Sequence, residues 1–433
     1  MKNNTKKIIS LILAAAILSG CTSGVAEDTT ETEETAAETA ETSETVPETA
    51  EETETETETV KAPVETEAPA VSVMENVLSA DDYPADLEGY ARTLLEKIRF
   101  EMTNEKTGFA YEFLGKKQIA FLWPFSVLLE SVSSLYECDT TDEELRDYYV
   151  LLLDKFLPRY EGSMSGIKRV YASTMDNGDK YYDDNEWIVI ELVRAYRLLG
   201  DEKYLDYAKE LAEFCYSGWS NSSGGIKWKV DSDSCNTCSN GPAAVLSCML
   251  YEDTGDEYYL DWAKKIYAWT YENLRDTDGT YFDNKKINGG SVDKAKYAYN
   301  TGTMIVSGVQ LYRITGEKDY LTQARQSAKG GEKEFFLKSS SRCVVRNSHP
   351  WFNSWLLEGY IELFETDTED GWTTDYIDDF YKVLDNAVNR AGDGIYVGKS
   401  WNSKADSEVE LIHQAGTVRA LAQISRVLKE YAK

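Results

Sequence analysis

The chain has 433 residues, a formal net charge of −31 and only two histidines. Nucleic acid and polyanionic substrates are disfavoured, because phosphate contacts need clustered Lys and Arg; a neutral or cationic ligand fits this balance better. The length allows one large domain or two to three average ones.

Lys2, Lys6 and Lys7 precede an apolar run from Ile8 to Leu18, too short to cross a bilayer as a mature helix. The following Leu18-Ser19-Gly20-Cys21 resembles a bacterial lipobox. Residues 1–20 are therefore expected to be a lipoprotein signal peptide. Cys21 is the expected lipidation site, with the mature protein held outside the cytoplasm on a membrane by that lipid. Residues 21–78 are rich in Thr, Glu, Ala and Pro; sixteen acidic residues and one Lys fall between Glu27 and Glu67. Such a segment buries too little apolar surface to offset its ordering entropy, and its like charges extend it. It reads as a disordered stalk. Residues 79–433 are expected to form the folded domain, and residues 68–433 still carry −19.

Six further cysteines are Cys138, Cys215, Cys235, Cys238, Cys248 and Cys343. Cys235-Asn236-Thr237-Cys238 has the spacing of a redox pair or half a zinc site. No second such pair exists, and His349 and His413 are the only histidines. A local disulfide or buried thiols are the expectation, with no metal and no cofactor. Asp176, Asp179 and Asp183 lack the spacing of a calcium loop.

From residue 85 onward apolar residues recur at intervals of three and four. Helices are predicted over 85–103, 119–137, 141–157, 184–199, 202–217, 240–254, 256–274, 299–314, 317–337, 350–366, 373–390 and 408–431. Strand signals are confined to loops, as at Gly225-Ile226-Lys227-Trp228. A repeat runs through the helical part. The segment from Tyr196 to Lys209 is echoed from Tyr251 to Lys264 and again from Tyr312 to Arg325. Gly200, Gly255 and Gly316 are placed to end one helix in the left-handed conformation. The acidic residue beside each opens the next helix, where the macrodipole favours negative charge. Each repeat is thus a tight helical hairpin, and six pairs match an (α/α)6 barrel.

Connections between predicted helices alternate strictly between short and long. All long loops then gather at one end of the ring, where function concentrates. They lead into the helices at 119, 184, 240, 299, 350 and 408, the expected inner ring. The starts of these helices carry Trp123, Tyr182-Asp183-Asp184, Asn240, Tyr299-Asn300, Trp351 and His413-Gln414, and the loops add Trp219, Trp228, Tyr281 and Trp401. Aromatic faces stack on sugar CH surfaces, while amides and carboxylates bond hydroxyls, so the mouth suits a neutral carbohydrate. Tyr182, Trp123, Trp219, Trp228, Asn240, Tyr281, Tyr299, Asn300 and Trp351 are the candidate substrate contacts. Asn240 and Asn300 read equally as N-caps, Trp187 and Trp355 as core, and both histidines as structural. Asp183-Asp184 reads either as a cap or as a catalytic pair. Glu186, two residues beyond the pair, is the second candidate for the acid, although it is expected to point away around the helix.

Tyr181-Tyr182-Asp183-Asp184, Gly-Gly-Ile-x-Trp at 224–228, Ser239-Asn240-Gly241 and Tyr299-Asn300-x-Gly302, in this order, resemble glycoside hydrolase family 76. The resemblance extends over roughly residues 85–430. It implies an (α/α)6 barrel and a retaining endo-α-1,6-mannanase acting on mannan, with Asp183 as nucleophile and Asp184 as general acid/base. Asn185-Glu186-Trp187 and Cys235-Asn236-Thr237-Cys238 depart from the family's usual residues at those places. A retaining glycosidase needs two carboxyls about 5–5.5 Å apart, one charged and one protonated, and neighbouring Cα atoms about 3.8 Å apart allow that. A monomer is expected. The alternatives are a non-catalytic or transglycosylating glycan-binding lipoprotein, and another (α/α)6 enzyme such as an unsaturated uronide hydrolase. The acidic chain with two histidines lacks the basic side chains the latter would use.

Overall fold

The computed structural model describes residues 76, 78–339, 342–346, 349–369, 371–405 and 408–433. The expected signal segment, Cys21 and the stalk as far as residue 75 lie outside the described residues.

Twelve α-helices occur among the described residues, as the apolar spacing predicts. Six form an inner ring: α2 (Leu122–Cys138), α4 (Tyr182–Leu199), α6 (Thr237–Thr254), α8 (Ala298–Thr315), α10 (Pro350–Thr366) and α12 (Leu411–Tyr431). Each packs on the next, and α12 packs back on α2, which closes the ring. The outer helices are α1 (Leu87–Glu101), α3 (Glu143–Leu151), α5 (Glu202–Ser217), α7 (Glu257–Leu274), α9 (Lys318–Phe335) and α11 (Thr374–Ala391). The first outer helix rests on the last inner one, and Leu78 bridges Ala432 beside them, so the two ends of the described domain meet. The fold is the expected (α/α)6 barrel.

Burial explains which helix goes where. In α6 every residue from Thr237 to Leu250 is buried. A helix that is apolar or small on all sides must be surrounded. In α5 only one stripe is buried, including Tyr204, Leu205, Ala208, Leu211 and Ala212, and the opposite face carries charge. Small residues let the inner helices approach. A Cβ on Gly302 of α8 would lie 2.3 Å from the Trp355 carbonyl of α10, so that seam admits only glycine.

The repeated hairpins take the predicted form. Gly200, Gly255 and Gly316 end α4, α6 and α8 at φ of 70°, 68° and 72°. Asp201 and Asp256 then cap α5 and α7 by accepting from Lys203 N and Tyr258 N. The inner helices start differently from expectation. α4, α6 and α8 begin at Tyr182, Thr237 and Ala298, and none has a side-chain cap. Asn240 and Asn300 therefore stand inside the first turn and are not caps. The expected strand around Ile226 is reduced to single bridges, Trp219 to Ile226 and Lys227 to Cys235. Beside it β1 (Ser234–Asn236), β2 (Phe282–Lys286) and β3 (Val292–Lys296) form an antiparallel sheet in that order. β4 (Phe336–Ser339) pairs with β5 (Arg342–Val345) in a separate hairpin.

The long loops are tied to the ring by amide side chains four residues into the inner helices. Asn185 accepts from Tyr171 N at 2.7 Å and donates to Tyr171 O at 3.0 Å and Tyr181 O at 2.7 Å. Asn240 repeats this on Ile226 N, Ile226 O and Asn236 O, and Gln414 on Val397 N and O. Each amide replaces the partners that a buried loop backbone otherwise lacks. This device holds functional loops rigidly over the helix N-termini.

Candidate active site

Asp183 and Asp184 are the second and third residues of α4. The loop from α5 crosses directly above them. Tyr182 N donates to Trp228 O at 3.0 Å, and Val230 N donates to Lys180 O at 3.1 Å. That pairing brings the Trp228 indole over the helix start, where Nε1 donates to Asp183 Oδ2 at 3.2 Å. Asp183 Oδ1 accepts from the Asp184 backbone N–H at 3.1 Å. The Cys238 thiol, from the first turn of α6, also donates to Asp183.

The two aspartates thus have different surroundings. Burial pushes the Asp183 carboxyl up to about 7, while its donors work in the opposite direction by favouring the charged form. Asp184 has no such donor. Burial, and then the charge of Asp183, push it well above the usual carboxylate range. Two close carboxyls in a shared, poorly hydrated space hold a proton between them, and the donors direct the negative charge to Asp183.

Glu186 does not point away, because it lies one helical turn below Asp183, on the same face as that residue. It is 0 % exposed, and neither carboxylate oxygen has a hydrogen-bond partner.

At the starts of other inner helices aromatic rings form a stacked wall. Tyr299 stacks on Phe352 at 4.2 Å, Phe352 on His349 at 4.4 Å, and His349 on Trp123 at 6.0 Å. These four rings come from the starts of α8, α10 and α2, and each is partly exposed. The chain's two histidines meet here, His349 and His413 lying 4.6 Å apart. Burial and the neighbouring His413 hold His349 well below its ordinary value, so it stays neutral and behaves as a flat ring. Beneath the wall, Trp351 packs edge-on against Trp187, and Trp187 leans on Trp355.

Charges under this floor lock it in place. Trp351 Nε1 donates to Glu130 at 3.0 Å, Glu130 pairs with Arg419 at 2.9 Å, and Arg419 lies over the Trp355 ring. Glu358 receives both Arg419 at 3.0 Å and Arg194 at 3.1 Å. Buried charges must be paired in this manner to be tolerated.

Asp183, Asp184, Trp228, Tyr299 and Trp123 lie at the same end of the ring, Trp228 and Tyr299 next to Asp183 and Trp123 in the ring stack that contains Tyr299. The remaining candidates do other work. Tyr182 is buried and stacks on Phe214 of α5, which makes it core. Trp351 is buried under the wall and supports it. Tyr281 is fully buried. Trp219 stands on the outer side, against Trp262 of α7 with Lys265 above its ring. The Asn240 amide is consumed by loop backbone, so no group is left for a ligand. Asn300 is buried with its amide atoms unpartnered. The sequence marks Phe352 only as an aromatic residue at the start of its helix and His349 only as structural, and it does not single out Asp283. Asp283 stands on β2 near Cys238 and Tyr299, half-buried, and burial raises its carboxyl. A lone histidine before a proline and an aspartate in a loop hairpin give no periodic signal that would single them out. All six described cysteines are free, so the Cys-x-x-Cys segment forms no disulfide. Among the described residues no group of His, Cys, Asp or Glu is arranged to hold a metal ion.

A helical toroid with adjacent carboxyls at one inner helix start and aromatic rings at others defines a carbohydrate-active hydrolase of the (α/α)6 class. Residues 117–425 match the model of glycosyl hydrolase family 76, and the chain belongs to that family of glycoside hydrolases. A family 76 mannosidase from Bacteroides thetaiotaomicron VPI-5482 shares the fold, with a TM-score of 0.72, 24% identity, and coverage of 80% of this chain and 100% of that one. An inactive variant of the α-1,6-mannanase of Salegentibacter sp. HEL1_6, with two consecutive aspartates replaced, was solved in complex with α-1,6-mannotetrose. It superposes with a TM-score of 0.69 at 26% identity, covering 79% of this chain and 99% of that one. The mannan endo-1,6-alpha-mannosidase DCW1 of Saccharomyces cerevisiae is 30% identical over 113 residues, 24% of this chain and 25% of that protein. The chain spans between about a quarter and a half of the first curated relatives it matches.

Proposed function

We propose that the protein is a retaining endo-α-1,6-mannanase, with Asp183 as nucleophile and Asp184 as acid/base. The observation that carries the assignment is the unequal supply of donors. Trp228 Nε1, the Asp184 N–H and the Cys238 thiol all serve Asp183, and none serves Asp184. A donor-rich carboxyl carries charge, and a buried carboxyl without donors keeps its proton.

In the first step an Asp183 oxygen attacks the anomeric carbon while the Asp184 proton passes to the departing glycosidic oxygen. The bond from the anomeric carbon to that oxygen breaks as the bond to Asp183 forms. Asp184, now charged, then takes a proton from water, whose oxygen displaces Asp183 from the anomeric carbon. Configuration is retained because the centre inverts twice. The stacked rings of Tyr299, Phe352, His349 and Trp123 offer a continuous apolar edge to the sugars, because their faces are turned largely on one another. The groups acting on the pair are an indole, a thiol, backbone N–H and the two carboxyls themselves, which suits hydroxyl-rich neutral substrates. The mannotetrose complex of the Salegentibacter enzyme supports this choice of substrate.

Incubation of the protein with linear α-1,6-mannan tests the proposal. Shorter mannose oligosaccharides are expected, and Asp183→Asn or Asp184→Asn should each reduce their formation by about 10²–10⁴-fold, the range of general acid–base effects. Absence of product from the unaltered protein refutes the reading, as does undiminished product from either variant.

A further inference from the structure

Glu186 has no role in the two-aspartate scheme, and its position is costly. It is fully buried one turn below Asp183, and both its oxygens lack a partner. The groups that face it are Asp183, Asp184 and Tyr182 from its own helix, Cys215 from α5 and Cys238 from α6. None is a cation. A carboxylate there would have neither counter-ion nor donor, and such a charge is not sustained in an apolar interior. The carboxyl is therefore neutral. Burial first, then the charges of Asp183 and Asp184, raise it well above the usual range.

We propose that Glu186 is a positioning residue of the reaction: a third, neutral carboxyl that keeps the negative charge of the site confined to Asp183. The inference rests on the paired-aspartate reading above. In the working state three carboxyls hold two protons, on Asp184 and Glu186, and one charge, on Asp183. Loss of the Glu186 proton would place a second charge beside Asp183. That charge raises the proton affinity of Asp183, which then competes with Asp184 for the one remaining proton; with that proton on Asp183 the site has neither nucleophile nor acid. Rising pH therefore leaves the working state by two routes, through Asp184 or through Glu186.

Glu186→Gln closes one route, because a carboxamide cannot ionise. The basic limb of kcat/KM on α-1,6-mannan should move to higher pH, while the acid limb, set by Asp183, stays in place. Glu186→Leu, equally unable to ionise, should show the same limb shift and serves if the Gln variant folds poorly. Thermal unfolding supplies a second readout that needs no substrate. An unfolded Glu titrates near about 4.3. Wild-type stability is therefore lost as pH rises from there through the raised folded value. The Gln variant lacks that loss, so its Tm should gain on wild type by an increment that widens between pH 5 and pH 8. Two results overturn the proposal. One is a Tm difference that is constant or shrinks with pH. The other is a uniform fall in kcat/KM at every pH with both limbs unmoved. If mannan is not cleaved at all, the mannanase reading fails, while the widening Tm difference still reports on Glu186.

Discussion

Replacing Trp228 by Phe isolates a single hydrogen bond at the catalytic pair. An aromatic ring, smaller by the pyrrole part, remains, and the Nε1 donor to Asp183 Oδ2, at 3.2 Å, is lost. Hydrogen bonds to charged groups contribute about 1.5–3 kcal/mol. This one is longer than the usual charge-assisted contact, which places it near about 1.5 kcal/mol. One pKa unit corresponds to about 1.36 kcal/mol, so the loss amounts to about one unit. The donor favours the carboxylate, and its removal raises Asp183 from about 7 towards about 8. Asp183, the proposed nucleophile, then ionises only at higher pH. At pH 6 the charged fraction, and with it kcat/KM, should fall about tenfold, while near pH 9 the two proteins should differ little. Initial rates of reducing-end release from α-1,6-mannan between pH 5 and pH 9 measure the limb. A uniform loss across the range, with the acid limb unmoved, would mean that Trp228 acts by stacking on substrate and that Asp183 does not depend on its donor.

Two further outcomes follow from burial. Asn185→Ala removes three hydrogen bonds to the Tyr171 and Tyr181 backbone. At about 1 kcal/mol each, the variant should lose about 3 kcal/mol in chemical denaturation; a loss below about 1 kcal/mol would show that water replaces the amide. Burial raises Glu112 and Glu362 to about 7, whereas hydrogen bonds to the cap and to Arg92 depress Asp142. The stability held by the neutral glutamates is complete below their unfolded value of about 4.3 and is lost as pH rises to about 7. That held by Asp142 is present above its unfolded value of about 3.9 and is lost as pH falls through its lower folded value. Tm should therefore peak near about pH 4, between the two unfolded values, and decline towards pH 8 in differential scanning fluorimetry, and a Tm that climbs from pH 5 to pH 8 contradicts the assignment of these buried glutamates as neutral.

Much of this protein was legible without coordinates, for local reasons. Apolar spacing placed the helices, because a helix in a ring must bury a stripe or its whole surface. Gly200, Gly255 and Gly316 announced their own turns, since only glycine enters the left-handed region freely. The alternation of short and long loops then put Asp183 and Asp184 at one end with Trp123, Trp228 and Tyr299. Chain order and residue type are enough for these inferences.

Tertiary structure decided what each side chain touches. Asn240 looked like a ligand contact or a cap and is a staple on Ile226, because its helix starts three residues earlier than the spacing suggested. Tyr182, Trp219, Tyr281 and Trp351 are aromatic residues of the same kind as Trp123, yet packing turns them into core, outer face or support. The Glu130–Arg419–Glu358 network joins helices far apart in the chain and leaves no periodic trace. The unequal surroundings of Asp183 and Asp184 are invisible in two identical letters; they depend on where a distant loop sets one indole nitrogen. Glu186 is the plainest case. Its place in the sequence says only that it is acidic and near the pair, and the closing of α5 and α6 around it is what deprives it of water, partner and charge.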